Sequence, residues 1–349
     1  MNLKFWQRNE PIYTDDNMNG TASSIAKISM FTIGVYLTGC LALAWWWDAE
    51  PSEFAVRENA ALMAQSTNDN LVTGYVTTAT LITVGDTLLH KRGGYLANDI
   101  FPPGVWMDNI PEWEFGALTL LRDTARVYRN DFSRSQSQSV EDPDLAEAEG
   151  KFFFDNNAWA LPQTEGEYEE GLDLLRAYLV RLADQGQTDA QFYARADNLQ
   201  QWLAAVGTRL GSMSQRLSAS VGKRQLNTDL AGDTAASQAT MAPKDQLVKT
   251  DWLKIDNVFY EARGFTWVLL HLLRAMEEDF GDVLDKKNAR VSLQQIIREL
   301  EPTQDTVWSP MILNGDGLGL LANHSLVMGS YISRANAAII DLRDLLTQG

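Results

Sequence analysis

The chain has 349 residues, 46 of them acidic and 29 basic, so its formal net charge is −17. This charge argues against nucleic acid as a partner, because the phosphate backbone repels an acidic protein. Cys40 is the single cysteine and no two of the three histidines are neighbours in sequence, which excludes an intrachain disulfide and a local His/Cys metal motif. We therefore expect no metal and no cofactor.

Residues 28–47 form the first distinctive segment, a run of 20 residues without a charged side chain. A helix of this length rises roughly 30 Å, which is enough to cross the hydrocarbon core of a bilayer. Trp45, Trp46 and Trp47 end the run, and tryptophan favours the membrane interface. We expect residues 28–47 to bind the lipid bilayer as a transmembrane helix and the three tryptophans to lie at its interface.

Two other interpretations of this segment remain open. The residues Leu37, Thr38, Gly39 and Cys40 resemble a lipobox, in which Cys40 would be lipidated, and residues 42–44 resemble a signal-peptidase site. However, the apolar run continues beyond both positions, and 27 residues precede it, whereas a cleaved signal has a short basic start. We therefore favour a retained anchor over a lipoprotein or a cleaved signal.

Charges on the two sides of the anchor predict its orientation. Lys4, Arg8 and Lys27 precede it, whereas Arg57 is the only basic residue between the anchor and Lys91. The positive-inside rule then places residues 1–27 in the cytoplasm and residues 48–349 in the periplasm of a bacterium.

The rest of the chain is predicted to be all-α, a large antiparallel helical bundle behind one N-terminal transmembrane helix. Apolar residues recur with a helical period in most long segments. Thr164 and Glu167 have the spacing of a capping box, and Thr188 to Gln191 repeat that signal. The predicted helices cover residues 70–90, 111–133, 165–183, 188–221, 251–284, 292–300 and 318–346. Only residues 306–313 suggest a strand.

Residues 222–247 interrupt the helical pattern. They are small, polar and mixed in composition, as in "NTDLAGDTAASQATMAPKD". We expect a flexible linker there, and it is the best candidate for a boundary within the periplasmic domain.

Residues 91–111, "KRGGYLANDIFPPGVWMDNIP", make the most distinctive loop. Paired glycines and paired prolines shape it, while aromatic and polar side chains could recognise a partner. The alternative is a packed connector whose aromatic residues cover the end of the bundle. The candidate interaction residues are Tyr95, Asn98, Asp99, Phe101 and Trp106.

Catalytic residues cannot be assigned from the sequence. Asp99, Glu112 and Glu114 could supply the two carboxylates of a glycan hydrolase, but acidic residues are frequent in this chain. Glu261, Arg263 and His271 lie in a strongly apolar helix, where buried ion pairs between helices are a better explanation than catalysis.

The segments "KRGGYLANDIFPPG" and "FYEARGFTWVLLHLLRAME", together with the single N-terminal span, resemble a family of uncharacterised Gram-negative bacterial proteins. The resemblance implies an inner-membrane protein and transfers no activity. We expect a structural or interaction module of the cell envelope that binds protein partners and that could oligomerise. The alternatives are an envelope enzyme such as a glycan hydrolase and a helical module that binds a small ligand.

Overall fold

The computed structural model describes residues 16–135, 139–184, 186, 189–226, 245–309, 311–316 and 319–348. The first helix, α1 (Asp16–Trp47), is continuous, and 24 of its residues, Ser24–Trp47, are apolar enough to cross a membrane. Only 6% of its most apolar stretch is buried against the rest of the protein. It is therefore not a core helix of the bundle.

In the described part of the chain, ten further helices form the body and confirm the all-α prediction. Short 3-10 helices at Gly104–Trp106, Ala219–Val221, Trp252–Lys254 and Glu301–Gln304 and a π-helical turn at Tyr128–Phe132 extend or connect them. The ten helices are α2 (Val56–Thr67), α3 (Tyr75–His90), α4 (Asn109–Val127), α5 (Pro143–Phe152), α6 (Thr164–Ala183), α7 (Ala196–Ser218), α8 (Ile255–Asp279), α9 (Gly281–Lys286), α10 (Arg290–Leu300) and α11 (His324–Thr347).

The pair α4 and α8 forms the centre of the body. Gly116 of α4 faces the backbone of α8, and Gly264 of α8 faces the backbone of α4. A Cβ atom on Gly116 would lie 1.9 Å from the Glu261 carbonyl oxygen, and one on Gly264 would lie 1.9 Å from that of Trp113. The two backbones therefore touch at a crossing that only glycine permits at both positions.

Two groups of helices pack against this centre. α3, α5 and α6 lie together, and α7 packs along α11, which also contacts α10. A cluster of rings from Tyr128, Phe132, Phe192 and Phe280 joins parts of the chain that are distant in sequence, with centroid separations of 5.1–5.7 Å. Helices from both sides of residues 222–247 thus share one core.

The predicted linker has regular structure at its two ends. Lys223–Leu226 (β1) and Asp245–Val248 (β2) pair as an antiparallel ribbon, with Lys223 opposite Val248. The expectation of a loop throughout was therefore wrong for these residues, because the backbone groups of the two ends satisfy each other. The predicted flexibility of residues 227–244 lies outside the described residues.

Several predicted boundaries were also wrong. α7 begins at Ala196 rather than near residue 188, and Thr188 lies outside the described residues. α11 begins at His324, where the Asn323 side chain accepts a hydrogen bond of 2.8 Å from the Leu326 amide. Residues 306–313 form no described strand; near them, Asn314 makes one isolated bridge with Asn323.

The predicted capping box at Thr164 does not form. Thr164 is already the first residue of α6, and its hydroxyl donates to the carbonyl oxygens of Asp155 (2.8 Å) and Ala158 (3.0 Å). The hydroxyl therefore ties the preceding loop to the helix, because a tertiary acceptor competes with the local amide.

Candidate functional site

The candidate site is the junction between α1 and the body. The chain leaves α1 at Trp47 and then runs along α8. Glu50 receives two bonds from Arg263 of α8, 2.7 Å from Nε and 2.5 Å from Nη2. Arg263 is 5% exposed and also donates to the carbonyl oxygens of Thr303 and Asp305, each at 2.9 Å. This one buried guanidinium therefore connects the segment after α1, α8 and the segment before α11.

His271 holds the next part of the same segment. Its Nε2 accepts a hydrogen bond of 3.1 Å from the Phe54 amide, and its Nδ1 lies 2.7 Å from the Trp267 carbonyl oxygen. The imidazole also stacks on the Phe54 ring, with centroids 4.1 Å apart. The neutral tautomer with hydrogen on Nδ1 satisfies both contacts, and burial lowers the His271 pKa to about 4. His271 thus acts as a neutral, structural histidine at this position.

The loop 91–111 makes two further contacts with the end of α1 and the residue after it. Gly93 has φ +85°, and a Cβ atom there would lie 2.8 Å from the Trp47 ring. At the other end of the loop, Asp108 lies near Asp48, whose pKa rises to about 6 through burial and through the negative charges of Glu50 and Asp108. Both ends of the loop therefore lie beside the end of α1.

A buried ion pair fixes the conformation of the loop. Lys91 and Glu114 form a salt bridge in which neither side chain is more than 3% exposed. Glu114 also accepts hydrogen bonds from the amides of Leu96 (2.9 Å) and Ala97 (2.8 Å). These partners lower the Glu114 pKa while burial raises it, and burial is the larger effect. Glu114 therefore holds the backbone of the loop in place through these hydrogen bonds.

The five candidate residues of the loop divide into two groups. Tyr95 and Asn98 are buried: the Tyr95 hydroxyl donates to the Asn156 carbonyl oxygen at 3.1 Å, and the Asn98 amide donates to Ala158 at 2.9 Å. Phe101 and Trp106 are 74% and 55% exposed. Asp99 is partly buried, and its pKa is raised by burial and by Glu165. The loop is both a packed connector and an exposed aromatic surface.

The other carboxylates considered for hydrolysis, Asp99 and Glu112, have separate surroundings. Glu112 accepts a hydrogen bond of 3.0 Å from Asn257 of α8, whereas Asp99 lies near Glu165, which accepts a bond of 2.7 Å from Asn98. Glu112 thus connects α4 to α8 near their N-terminal ends.

The predicted ion pair between helices forms at Glu261 but not at the other two residues, because Arg263 pairs with Glu50 outside the helices and His271 makes no ion pair. Glu261 is 7% exposed and pairs with both Nη atoms of Arg216 from α7 at 2.5 Å. The matching pair on the last helix is Arg334 with Glu299 of α10 at 2.7 Å. These residues fix the relative positions of helices.

One group of described residues has ligand atoms close enough together to hold a metal ion. Asp86, His90 and Glu169 place such atoms within 4.8 Å of one another. Arg176 binds both carboxylates, with Nη1 3.0 Å from Glu169 and Nη2 in contact with Asp86. The guanidinium lies between the two carboxylates and pairs with each, so the geometry of this group is that of an ion-pair network.

A cleft of about 730 Å³ lies between the end of α1 and the body, within the size range of small-molecule sites. Trp45, Asp48 and Tyr260 are among its lining residues. Two buried polar atoms at its wall, Trp267 Nε1 and Asn109 Oδ1, have no hydrogen-bond partner among the described residues. The cleft therefore belongs to the junction between α1 and the body.

The sequence did not reveal this junction. Residues 48–54 carry no motif, and their partners Arg263 and His271 are more than 200 positions away. The only available signal was the presence of ionisable residues within the apolar run of α8.

Comparison with known proteins adds a family and nothing finer. Residues 21–349 match the family described as "Uncharacterized protein conserved in bacteria (DUF2333)". No curated protein and no solved structure matches the chain. The match confirms the expectation of an uncharacterised bacterial family and covers most of α1 together with the whole body. The chain therefore belongs to the DUF2333 family of bacterial proteins.

Proposed function

We propose that this protein is a single-pass protein of the bacterial inner membrane whose helical body lies in the periplasm and binds protein partners of the cell envelope. The supporting observation is the contrast along α1. Its apolar residues have almost no contact with the body, whereas residues 47–54, which follow directly, are bound to buried side chains of α8 and to the loop 91–111. This is the arrangement of an anchor that carries a firmly attached domain.

The orientation rests on the distribution of basic residues. Three basic side chains precede the apolar run and one follows it before Lys91. The positive-inside rule then keeps the N-terminus in the cytoplasm and exports the body.

Binding rather than catalysis is favoured because the candidate carboxylates already have structural partners. Glu114 is buried against Lys91 and two backbone amides, and Glu112 is bound to Asn257. A hydrolase requires one acid and one base or nucleophile that face the same substrate bond.

A topology experiment tests this proposal. Alkaline phosphatase, which is active only in the periplasm, would be fused after Gln348, and a matched fusion after Lys27 would serve as the control. We expect activity from the first fusion only, with the full-length chain in the membrane fraction. Activity of a cytoplasmic reporter at Gln348, or a mature chain that begins beyond Trp47, would contradict the proposal.

A further inference from the structure

We infer that the end of the body next to α1 rests on the bilayer and inserts aromatic side chains into the lipid interface. This membrane-facing end consists of the exposed residues around Phe101, Trp106, Trp159, Trp252 and Trp308. The inference rests on the proposed function, since it requires α1 to lie in the membrane, and it adds a second lipid contact that the anchor alone does not imply.

Contacts along α8 show which end of the body faces the membrane. Asp48 lies near Tyr260, Glu50 pairs with Arg263, and Phe54 binds His271. Towards the C-terminal end of α8, Arg57 lies near Glu278. Residues 48–57 therefore run in the same direction as α8, and the N-terminal end of α8 is the end next to α1.

Trp252 lies beyond the N-terminal end of α8. It lies in the short 3-10 helix Trp252–Lys254, directly before Ile255, the first residue of α8, and it is 71% exposed. Leu253 beside it is 81% exposed. Because α8 runs away from the anchor, these two side chains lie on the side of the body where the bilayer is.

The loop 91–111 reaches the same side. Gly93 packs on Trp47, and Asn109 lines one cleft together with Trp45, so the loop starts and ends beside the anchor. Between these points Ile100, Phe101, Val105 and Trp106 are exposed, and the backbone is held by the buried Lys91–Glu114 pair. Exposed apolar residues on a fixed backbone are prepared to enter a lipid interface without a large ordering cost.

Two further tryptophans lie on segments attached to the same region. Trp308 is 93% exposed, and its neighbours Val307 and Ser309 line the cleft that Trp45 also lines. Trp159 is 60% exposed and follows Ala158, whose carbonyl oxygen accepts the hydrogen bond from Asn98 of the loop.

The distribution of tryptophan separates this end from the rest of the described body. Trp113, Trp202 and Trp267 are at most 1% exposed and belong to the core. The remaining four tryptophans of the body, at positions 106, 159, 252 and 308, are exposed, and all four belong to the membrane-facing end. Tryptophan prefers the membrane interface, where its ring is apolar and its N–H remains hydrated.

Lipid is favoured over a protein partner because this surface is continuous with the end of the anchor. A spanning α1 with Trp45 and Trp46 at the interface brings the surrounding surface of the body to the same depth. The acidic charge of the chain also means that apolar insertion, rather than attraction to anionic headgroups, supplies the binding.

Depth-dependent quenching tests the inference on the full chain. In a Cys40→Ala background, a single cysteine that carries an environment-sensitive fluorophore would be placed by Phe101→Cys or Trp252→Cys. The protein would be reconstituted in phosphatidylcholine vesicles that contain a lipid with a nitroxide near the headgroup. Leu43→Cys reports on the anchor. Val291→Cys is the matched control, since this residue is 75% exposed on α10 and adjoins Arg290, which binds Glu277 near the far end of α8.

We expect at least fivefold stronger quenching at positions 101 and 252 than at position 291. Equal quenching at these three positions, with strong quenching at position 43, would overturn the inference and leave the proposed anchor intact. Absence of quenching at position 43 would instead overturn the proposed function. If positions 101 and 252 are unquenched in vesicles and crosslink to a protein in cells, the surface belongs to a protein partner and the inference is wrong.

A change in the lipid composition of the vesicles provides an independent test of the inference. We expect quenching at position 101 to stay the same or to decrease when phosphatidylglycerol replaces part of the phosphatidylcholine, because the protein is acidic. Quenching that appears only with the anionic lipid would show headgroup recognition and would overturn insertion through apolar side chains.

Discussion

At the scale of single residues, His271 shows how a titratable group can serve the junction without catalysis. Its two ring nitrogens have opposite roles: Nδ1 donates to Trp267, and Nε2 accepts from the amide of Phe54. Protonation of Nε2 would remove the acceptor and bury a charge. The hydrogen bond that holds the segment after α1 to α8 therefore requires His271 to be neutral.

We predict that stability falls between pH 6.5 and pH 4. An unfolded histidine binds a proton below about pH 6.5, whereas folded His271 remains neutral down to about pH 4, so the unfolded state binds more protons in this window. The contribution of His271 to the free energy of unfolding is complete above pH 6.5 and decreases by at most about 3 kcal/mol by pH 4. His271→Gln retains a donor and an acceptor but does not titrate. Denaturant midpoints in mild detergent should therefore depend less on pH in this variant.

The matched control for this measurement is His90→Gln, because the His90 side chain is exposed. It should alter the pH dependence of the denaturant midpoint less than His271→Gln does. If His271→Gln and His90→Gln behaved alike, the loss of stability at low pH would have to come from carboxylates instead.

At the scale of helices, two glycines allow α4 and α8 to cross in direct backbone contact. Trp113 and Gly116 face Glu261 and Gly264 across a backbone contact that leaves no room for a side-chain carbon. The rings of Trp113 and Trp267 pack at 5.3 Å in the same central pair of helices. The close approach thus lets large aromatic side chains fill the surrounding core.

Gly264→Ala should therefore destabilise the protein by on the order of 3 kcal/mol, because the new methyl group would overlap the Trp113 carbonyl oxygen and force the helices apart. Gly150→Ala is the control, since a Cβ atom on this α5 residue would meet nothing within 4 Å. That change should be neutral or stabilising by up to about 1 kcal/mol through helix propensity. Thermal or denaturant unfolding that ranked the two variants equally would contradict the close crossing.

At the scale of the whole molecule, the net charge lies in the part of the chain that follows α1. The first 47 residues contain three acidic and three basic side chains, so the rest of the chain carries the entire net charge of −17. With the membrane-facing end against lipid, the proposed protein partners would bind to the remaining surface of the body. Exposed apolar residues such as Leu62 of α2 and Val291 of α10 are places where such contacts can form.

In-cell photo-crosslinking tests the binding role at this scale. A photoreactive residue at position 62 or 291 should yield a discrete species of higher mass, and a species heavier by 39.0 kDa would indicate a second copy of the chain. The same residue at the buried position Ala79 is the control and should yield none. A protein that forms no such species from any surface position, and that purifies alone as a monomer, would contradict the interaction role.

Much of the helical architecture was predictable because long amphipathic periods persist in α4, α6, α7, α8 and α11. The short helices α2 and α5 escaped because they have 12 and 10 residues and bury few large side chains. Boundaries failed where tertiary partners replaced local signals, as at Thr164, whose hydroxyl bonds to the preceding loop rather than to its own helix.

The candidate site was predictable only in part. Phe101 and Trp106 of the loop are exposed, as a recognition surface requires, but Tyr95 and Asn98 are committed to the body. Aromatic and polar residues look alike in sequence whether they point inwards or outwards, because a loop has no periodicity from which to read burial.

By itself, the sequence determined the apolar helix, the all-α body and the acidic charge, since each depends on composition or on local periodicity. Only the tertiary structure decided that residues 47–54 are held by Arg263, His271 and Gly93, and that the exposed tryptophans share the end next to the anchor. Those facts depend on contacts between residues far apart in the chain, and no local pattern encodes which distant side chains the fold brings together.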